Sequence, residues 1–228
     1  MWGIILKDIE QHAKAISIFL LTALILPSAF SIIMSQKADG SGYLGVVFGY
    51  VVVSAPALFV FGLIGQEKLK GTFKLLSILP ISGRRVIWAK SLAAAILCIA
   101  VVNLVAVVTP MIIYAVIGYK WFSSSQLILW INLLTLFFVS VDVTIFTLLE
   151  NKIASQAIYL TYFFVVFATL IAKKYLPILA DPQLLIQRLS AIGFQYWGWM
   201  LVILLSYALV DISGRIFEMR EWAELEEE

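Results

Sequence analysis

Six stretches of this chain carry no Asp, Glu, Lys or Arg: Ala15–Gln36, Gly40–Gln66, Ser91–Tyr119, Trp121–Val141, Ile153–Ala172 and Leu189–Val210. Each reaches the ~20 residues that a helix needs to cross a ~30 Å hydrocarbon core. Hydrocarbon offers no partner to backbone N–H and C=O groups, so only helices and closed barrels span it. These runs lack the alternation of barrel strands. The expected fold class is all-α, a polytopic membrane protein. Composition points the same way: 62% of the residues are apolar and 13% charged, against roughly 45–50% and 25% in a soluble domain. A soluble globule, a disordered chain and a disulfide scaffold are excluded. One Cys (Cys98) and one His (His12) leave no disulfide framework and no Cys/His zinc site. A net charge of +2 gives no footprint for nucleic acid, so none is expected as a partner.

Helices are expected at about 15–35, 43–65, 90–117, 125–149, 153–172 and 194–213, with 1–228 forming one transmembrane domain. The first apolar stretch, Ile16–Ile33, exceeds a signal-peptide core and lacks a convincing small-x-small cleavage site, so it reads as a retained span. Six spans put both termini on one side of the bilayer, and basic residues decide which. The termini and the loops after spans two and four hold Lys7, Lys14, Lys68, Lys70, Lys74, Arg84, Arg85, Lys90, Lys152, Arg215 and Arg220. The other side holds Lys37, Lys120, Lys173, Lys174 and Arg188. That excess puts both termini in the cytoplasm of a multi-pass protein of the inner (plasma) membrane. Tyr43, Tyr119, Trp121, Tyr175, Tyr196, Trp197 and Trp199 gather at the outer ends, and Trp2, Trp88 and Trp222 at the inner ones.

Three segments outside the spans have a pattern of their own. Met1–Lys14 mixes Trp2, Ile4, Ile5, Leu6 and Ile9 with Lys7, Asp8, Glu10 and Lys14, as in a short helix lying in the inner interface. Lys173–Gly193 contains Asp181-Pro182, an N-cap followed by Pro, and then Leu185, Leu189 and Ile192 at helical spacing; a short outer helix is expected there. The third segment, Gln66–Lys90, holds six of the sixteen basic side chains. Gly71-Thr72 starts a helical turn, Phe73, Leu76 and Leu79 give it an apolar face, and Pro80 ends it. Ser82 can cap a second turn leading into the third span. A basic loop obeying the positive-inside rule needs Lys and Arg, but not an apolar helix between Gly-Thr and Pro.

At these residues the chain resembles the permease subunits of the ABC-2 (type V) family of ATP-binding-cassette transporters. Glu67, Gly71, Thr72, Leu75, Leu76, Pro80, Ile81, Ser82, Arg84 or Arg85, Ile87 and Lys90 match the family's loop motif in order. Phe73 stands where Leu is usual, Lys74 where an acidic residue is common, and Gly83 precedes the arginines. The motif covers about a tenth of the chain, while the span arrangement, the interfacial helix and the outer connector extend the likeness over its whole length.

The resemblance implies that this loop is a coupling helix, which docks on a groove of a cytoplasmic ATPase subunit. Its coupling residues would be Glu67, Gly71, Thr72, Phe73, Leu75, Leu76, Pro80, Ser82, Arg84 and Arg85. The apolar side chains would fill the groove, and Arg84, Arg85 and Lys90 would sit at lipid phosphate. Two ATPase copies and a second permease, identical or different, would complete an exporter in the bilayer that works by alternating access. ATP and Mg would be held by the ATPase, so this chain needs no cofactor, metal or catalytic site. The short outer segments suit an amphipathic peptide or hydrophobic drug-like cargo. A haem-exporter-like permease is the alternative within the family.

Sequence features argue against other classes. Gly65 and Gly71-Thr72 imitate a P-loop, but five residues separate the glycines and no Lys follows. An integral-membrane enzyme would need a Gly-x-Ser-x-Gly elbow, a His-Glu-x-x-His or paired intramembrane aspartates. A secondary transporter would carry repeats or several embedded ionisable groups. Asp142 is the single charged side chain well inside an expected span, accompanied by Thr135, Ser140, Thr144 and Thr147. It reads either as a substrate or proton site or as an interhelical anchor to Asn103 or Asn132, and the anchor is favoured. Gly45, Gly49, Gly62 and Gly65 allow close approach of span two to a neighbour; Pro27, Pro56 and Pro110 mark kinks.

The topology is testable by thiol labelling. A cysteine at Gly40 or Asp181 is expected to react with an impermeant reagent from outside, and one at Glu226 is not; the reverse pattern would overturn the orientation.

Overall fold

Ser82 is the residue at which the chain enters the longest helix among the described residues. Its carbonyl accepts hydrogen bonds from the Arg85 and Val86 N–H groups at 2.9 and 3.3 Å, and from Gly83 the helix runs to Ile117, with one ladder donor missing at Pro110. The computed structural model describes residues 3, 5, 7, 10, 17–18, 21, 25, 51–52, 54–69, 82–117, 125–149, 152–154, 156–158, 160 and 194–226. Every described element is helical. A π-helical turn, Phe61–Gly65, runs into the short helix α1 (Gln66–Leu69). Three long helices follow: α2 (Gly83–Ile117), α3 (Ser125–Leu148) and α4 (Phe194–Glu226). Each of the three is long and apolar enough to cross a membrane.

The limits of two helices differ from the sequence reading. α2 begins at Gly83 rather than at about 90, because Ser82 caps the span itself and no separate turn intervenes. α4 runs to Glu226 rather than ending near 213. Asp211 marks where charge begins, but a charge does not stop a helix, and no Pro follows it. Span two likewise does not end at Gly65: its helix continues through the π-turn to Leu69. Pro110 lies inside α2. Gly45, Gly49, Pro27, all of Gly71–Ile81 and the outer connector fall outside the described residues.

Four hydroxyls on α3 are satisfied by the helix that carries them. Thr135 donates to the Ile131 carbonyl at 2.8 Å, Ser140 to Leu136 at 2.9 Å, Thr144 to Ser140 at 2.8 Å and Thr147 to Val143 at 2.6 Å. Each hydroxyl thus bonds one turn back, which lets the most polar of these helices sit in an apolar bundle.

The three long helices pack pairwise against one another. Trp88 of α2 stacks on Tyr207 of α4 with ring centres 5.1 Å apart, and Arg84 meets Asp211, so these helices run antiparallel. Thr144 of α3 lies beside Leu209 and Ser213 of α4. The start of α2, the end of α3 and residues 209–215 of α4 therefore share one end of the bundle. Val60, Ile64, Ile87, Cys98, Val102, Val139, Phe146 and Val210 form part of one buried cluster, which also takes in Ile5 from the N-terminal segment. Leu92, Ile96, Leu104, Val107 and Met111 are exposed along one stripe of α2, as expected of a surface that meets lipid tails.

Gly214 sets the closest approach at that shared end. A Cβ there would lie 3.1 Å from Arg84 Cγ and 3.2 Å from Arg84 Cα, the latter a backbone atom that a rotamer change cannot move. Gly214→Leu is therefore expected to destabilise the bundle by about 1–3 kcal/mol, read as a lower melting midpoint in detergent. Gly3→Ala, whose Cβ would enter open space, is the neutral control. An unchanged midpoint for Gly214→Leu would mean that α2 and α4 do not meet there.

Candidate functional site

The helix ends at the shared end of the bundle bring together charges that the sequence scatters over 150 residues. Lys90 is 1% exposed, one of the most deeply buried large side chains among the described residues. Its Nζ lies 2.8 Å from Oε2 of Glu67, whose side chain is 8% exposed. The two groups meet as an ion pair, off the line of a directed hydrogen bond. Two charges at this depth are tolerated because each neutralises the other; either alone would be costly in the interior.

The next residue faces a different neighbour. Lys68 Nζ donates to the carbonyls of Phe146 at 2.9 Å, Thr147 at 3.4 Å and Leu149 at 2.9 Å. These carbonyls lie in the last turn of α3 and just beyond it, where no following helical turn supplies a donor. A cation there also meets the negative end of the helix dipole. Glu67 and Lys68 thus tie α1 to α2 and to α3 respectively. The π-turn just before them packs on the same neighbour, with the Phe61 and Phe146 ring centres 5.6 Å apart.

The far root of the segment is tied to α4. Arg84 Nε donates to Asp211 Oδ1 at 2.7 Å, and Arg84 Nη2 reaches the same oxygen. Arg215, one turn beyond Asp211, donates to Oδ2 at 2.9 Å. Asp211 is nearly buried, whereas Arg215 is exposed and can reach water. Ser213 Oγ, 2.6 Å from the Leu209 carbonyl, also lies 2.9 Å from Thr144 Oγ1, so α4 is joined to α3 on its other side.

Deeper in the bundle, Asn103 and Asn132 form a reciprocal amide pair, each donating to the other at 3.1 Å. Asn103 also donates to the Ile99 carbonyl at 2.9 Å. The two amides therefore meet each other, where the sequence offered them as partners for Asp142. Asp142 is 2% exposed and engaged within the protein, within electrostatic reach of Cys98 on α2.

The structure divides the sequence-derived coupling residues into two groups. Gly71, Thr72, Phe73, Leu75, Leu76 and Pro80 lie outside the described residues. Glu67, Ser82, Arg84 and Arg85 frame that segment at its two roots. Arg85 is exposed, Ser82 begins α2, and Glu67 faces inward. Lys90 is not at the headgroups, as its basic character had implied; Glu67 draws it into the interior. The charge-free intervals also placed Asp142 alone inside a span, yet Lys90 and Asp211 both fall within the apolar lengths of α2 and α4. Lys68 and Asp211 were not singled out from the sequence. The available signal was the Asp211–Arg215 spacing of four residues at the end of an apolar run. For Lys68 no such local signal exists, since its partners are backbone carbonyls 78 to 81 positions away. No group of residues that could hold a metal occurs among the described residues.

Comparison with protein-family models, with curated proteins and with solved structures finds no match to this chain.

Asp142 can be assigned by two substitutions. Asn keeps its shape and a hydrogen-bonding oxygen, while Leu leaves its partners unsatisfied, at a cost of about 1–3 kcal/mol. Asp142→Asn is expected to fold and function, and Asp142→Leu to lower the yield of folded protein. If Asp142→Asn folds normally but loses activity or its pH dependence, the carboxylate itself is functional.

Proposed function

We propose that this chain is the membrane-spanning permease of an ATP-driven exporter of ABC-2 type. It has six spans, both termini in the cytoplasm, and a coupling helix within the segment from Gln66 to Lys90. Two copies of a cytoplasmic ATPase and a second permease complete the machine. ATP and Mg belong to the ATPase, and this chain performs no covalent chemistry. Its cargo is an amphipathic peptide or a hydrophobic drug-like molecule, taken into an apolar cavity between the two permeases.

One observation carries this reading beyond the motif. The two roots of the segment are fastened to each other by Glu67–Lys90, to α3 by Lys68 and to α4 by Arg84. A push applied to the intervening residues would therefore reach three long helices through buried or partly buried polar contacts. A loop that served only as a topology signal would need its charges at lipid headgroups, not inside the bundle. The mechanism is alternating access: ATPase closure favours one arrangement of the helices by binding it more tightly than the other.

The docking surface is testable at Phe73 and Leu76. Changing either to Asp would bury an unpaired charge in the ATPase groove, costing on the order of 3–5 kcal/mol if that contact is dry. Purified permease is expected to insert normally and to lose its ATPase. Retained ATPase together with full transport would reduce the segment to a topology signal.

A further inference from the structure

The two attachments of α1 differ in kind. Glu67 and Lys90 are both buried, at 6% and 1% exposure, so water cannot take the place of either partner. Lys68 is only partly buried, and three carbonyls at the end of α3 accept from it. Water and headgroups can replace each of those bonds as it opens. Immediately upstream lies the π-turn, closed by the Gln66 N–H donating to the Phe61 carbonyl five residues back. Such turns are rare, form within α-helices as single widened turns, and mark places where a helix bends. This one also lacks slack for a side chain: a Cβ on Gly65 would lie 2.6 Å from the Phe61 ring and 3.4 Å from Phe146.

We infer that Phe61–Leu69 is a hinge with a permanent pin and a releasable catch. Glu67–Lys90 is the pin, Lys68 on the end of α3 is the catch, and the π-turn Phe61–Gly65 is the element that bends. With the catch closed, α1, α2 and the end of α3 move as one body. With the catch open, α1 still follows α2, while the end of α3 is held to α1 only by apolar packing such as Phe61 on Phe146. This deepens the exporter reading, since it names the contact through which a docked ATPase would be felt by α3.

Hydrogen exchange on the purified chain in detergent tests the hinge without any ATPase, and so stands whether or not the exporter reading does. Lys68→Met keeps the apolar stem and removes the donors. It is expected to speed exchange across Phe61–Leu69 by about tenfold, with Lys68→Arg staying close to the unaltered chain. Deleting Gly62 takes one residue out of the widened turn, which then closes as ordinary α-helix with Glu67 and Lys68 in the same phase. That chain is expected to exchange more slowly there. Exchange in Lys68→Met equal to that of the unaltered chain would overturn the catch. Exchange after the deletion equal to that of the unaltered chain would overturn the bending turn. If the deletion prevents folding, the Lys68→Met measurement alone decides.

Discussion

An ammonium group buried to 1% exposure inside an apolar helix dictates much of what surrounds it. Lys90 sits two turns into α2, where neither water nor lipid phosphate can solvate it, and groups of the protein, the Glu67 carboxylate first among them, must do so instead. Removing one partner from such a pair costs about 3–5 kcal/mol, whereas replacing both by apolar residues is often neutral. The pair therefore contributes register more than stability. It requires that Glu67 arrive at this depth, which fixes where α1 lies, and α1 in turn brings Lys68 to the end of α3. The chain that leaves α1 must return at Ser82, where Arg84 finds Asp211 on α4. One buried charge thus links four helical segments at a common end.

Away from that end, the bundle is held by different means. Each long helix exposes many apolar side chains, Leu104 and Met111 on α2, Leu129 and Leu134 on α3, Leu204 and Ile212 on α4, and these need a lipid-like covering. Lipid tails are as apolar as the side chains they meet, and hydrophobic burial adds little to association there. Close approach of small residues and interhelical hydrogen bonds have to supply the rest. Gly214 against the Arg84 backbone, Ser213 against Thr144, and the Asn103–Asn132 pair are of these two kinds. Their placement along the bundle, from the shared end to about five turns deeper, keeps α2 and α3 aligned over most of their length.

Helical class and the position of α3 were legible in the sequence because both follow from charge-free length, which the bilayer imposes directly. The ends of α2 and α4 were not legible in the same way. A charge-free interval reports where the lipid ends, while a helix ends where its hydrogen-bond ladder is capped. Ser82 shows the difference: its capping chemistry was readable, but the turn it starts proved to be the span itself. Lys90 shows a second limit. Basic residues near an inner end are counted alike, yet one side chain turned inward becomes an ion pair only because Glu67 lies across from it. Pairing between segments is a property of packing, and the sequence pattern of either segment alone does not contain it.

Magnitudes decide which of these contacts can change during a working cycle. Shifting a two-state protein from 1:99 to 99:1 takes about 5.5 kcal/mol of differential binding from whatever drives it. Breaking Glu67–Lys90 would absorb about 3–5 kcal/mol of that, because both charges would be stranded in the interior. Too little would remain to reorganise anything else. A charged hydrogen bond such as those of Lys68 contributes about 1.5–3 kcal/mol when its loss leaves a group unsatisfied. At a partly exposed helix end the loss is made good by water, and the net change is smaller. Arg84–Asp211 lies between these cases: Arg215 still donates to the carboxylate if Arg84 withdraws. A driven motion at this end therefore runs first through Lys68, next through Arg84, and leaves Glu67 with Lys90.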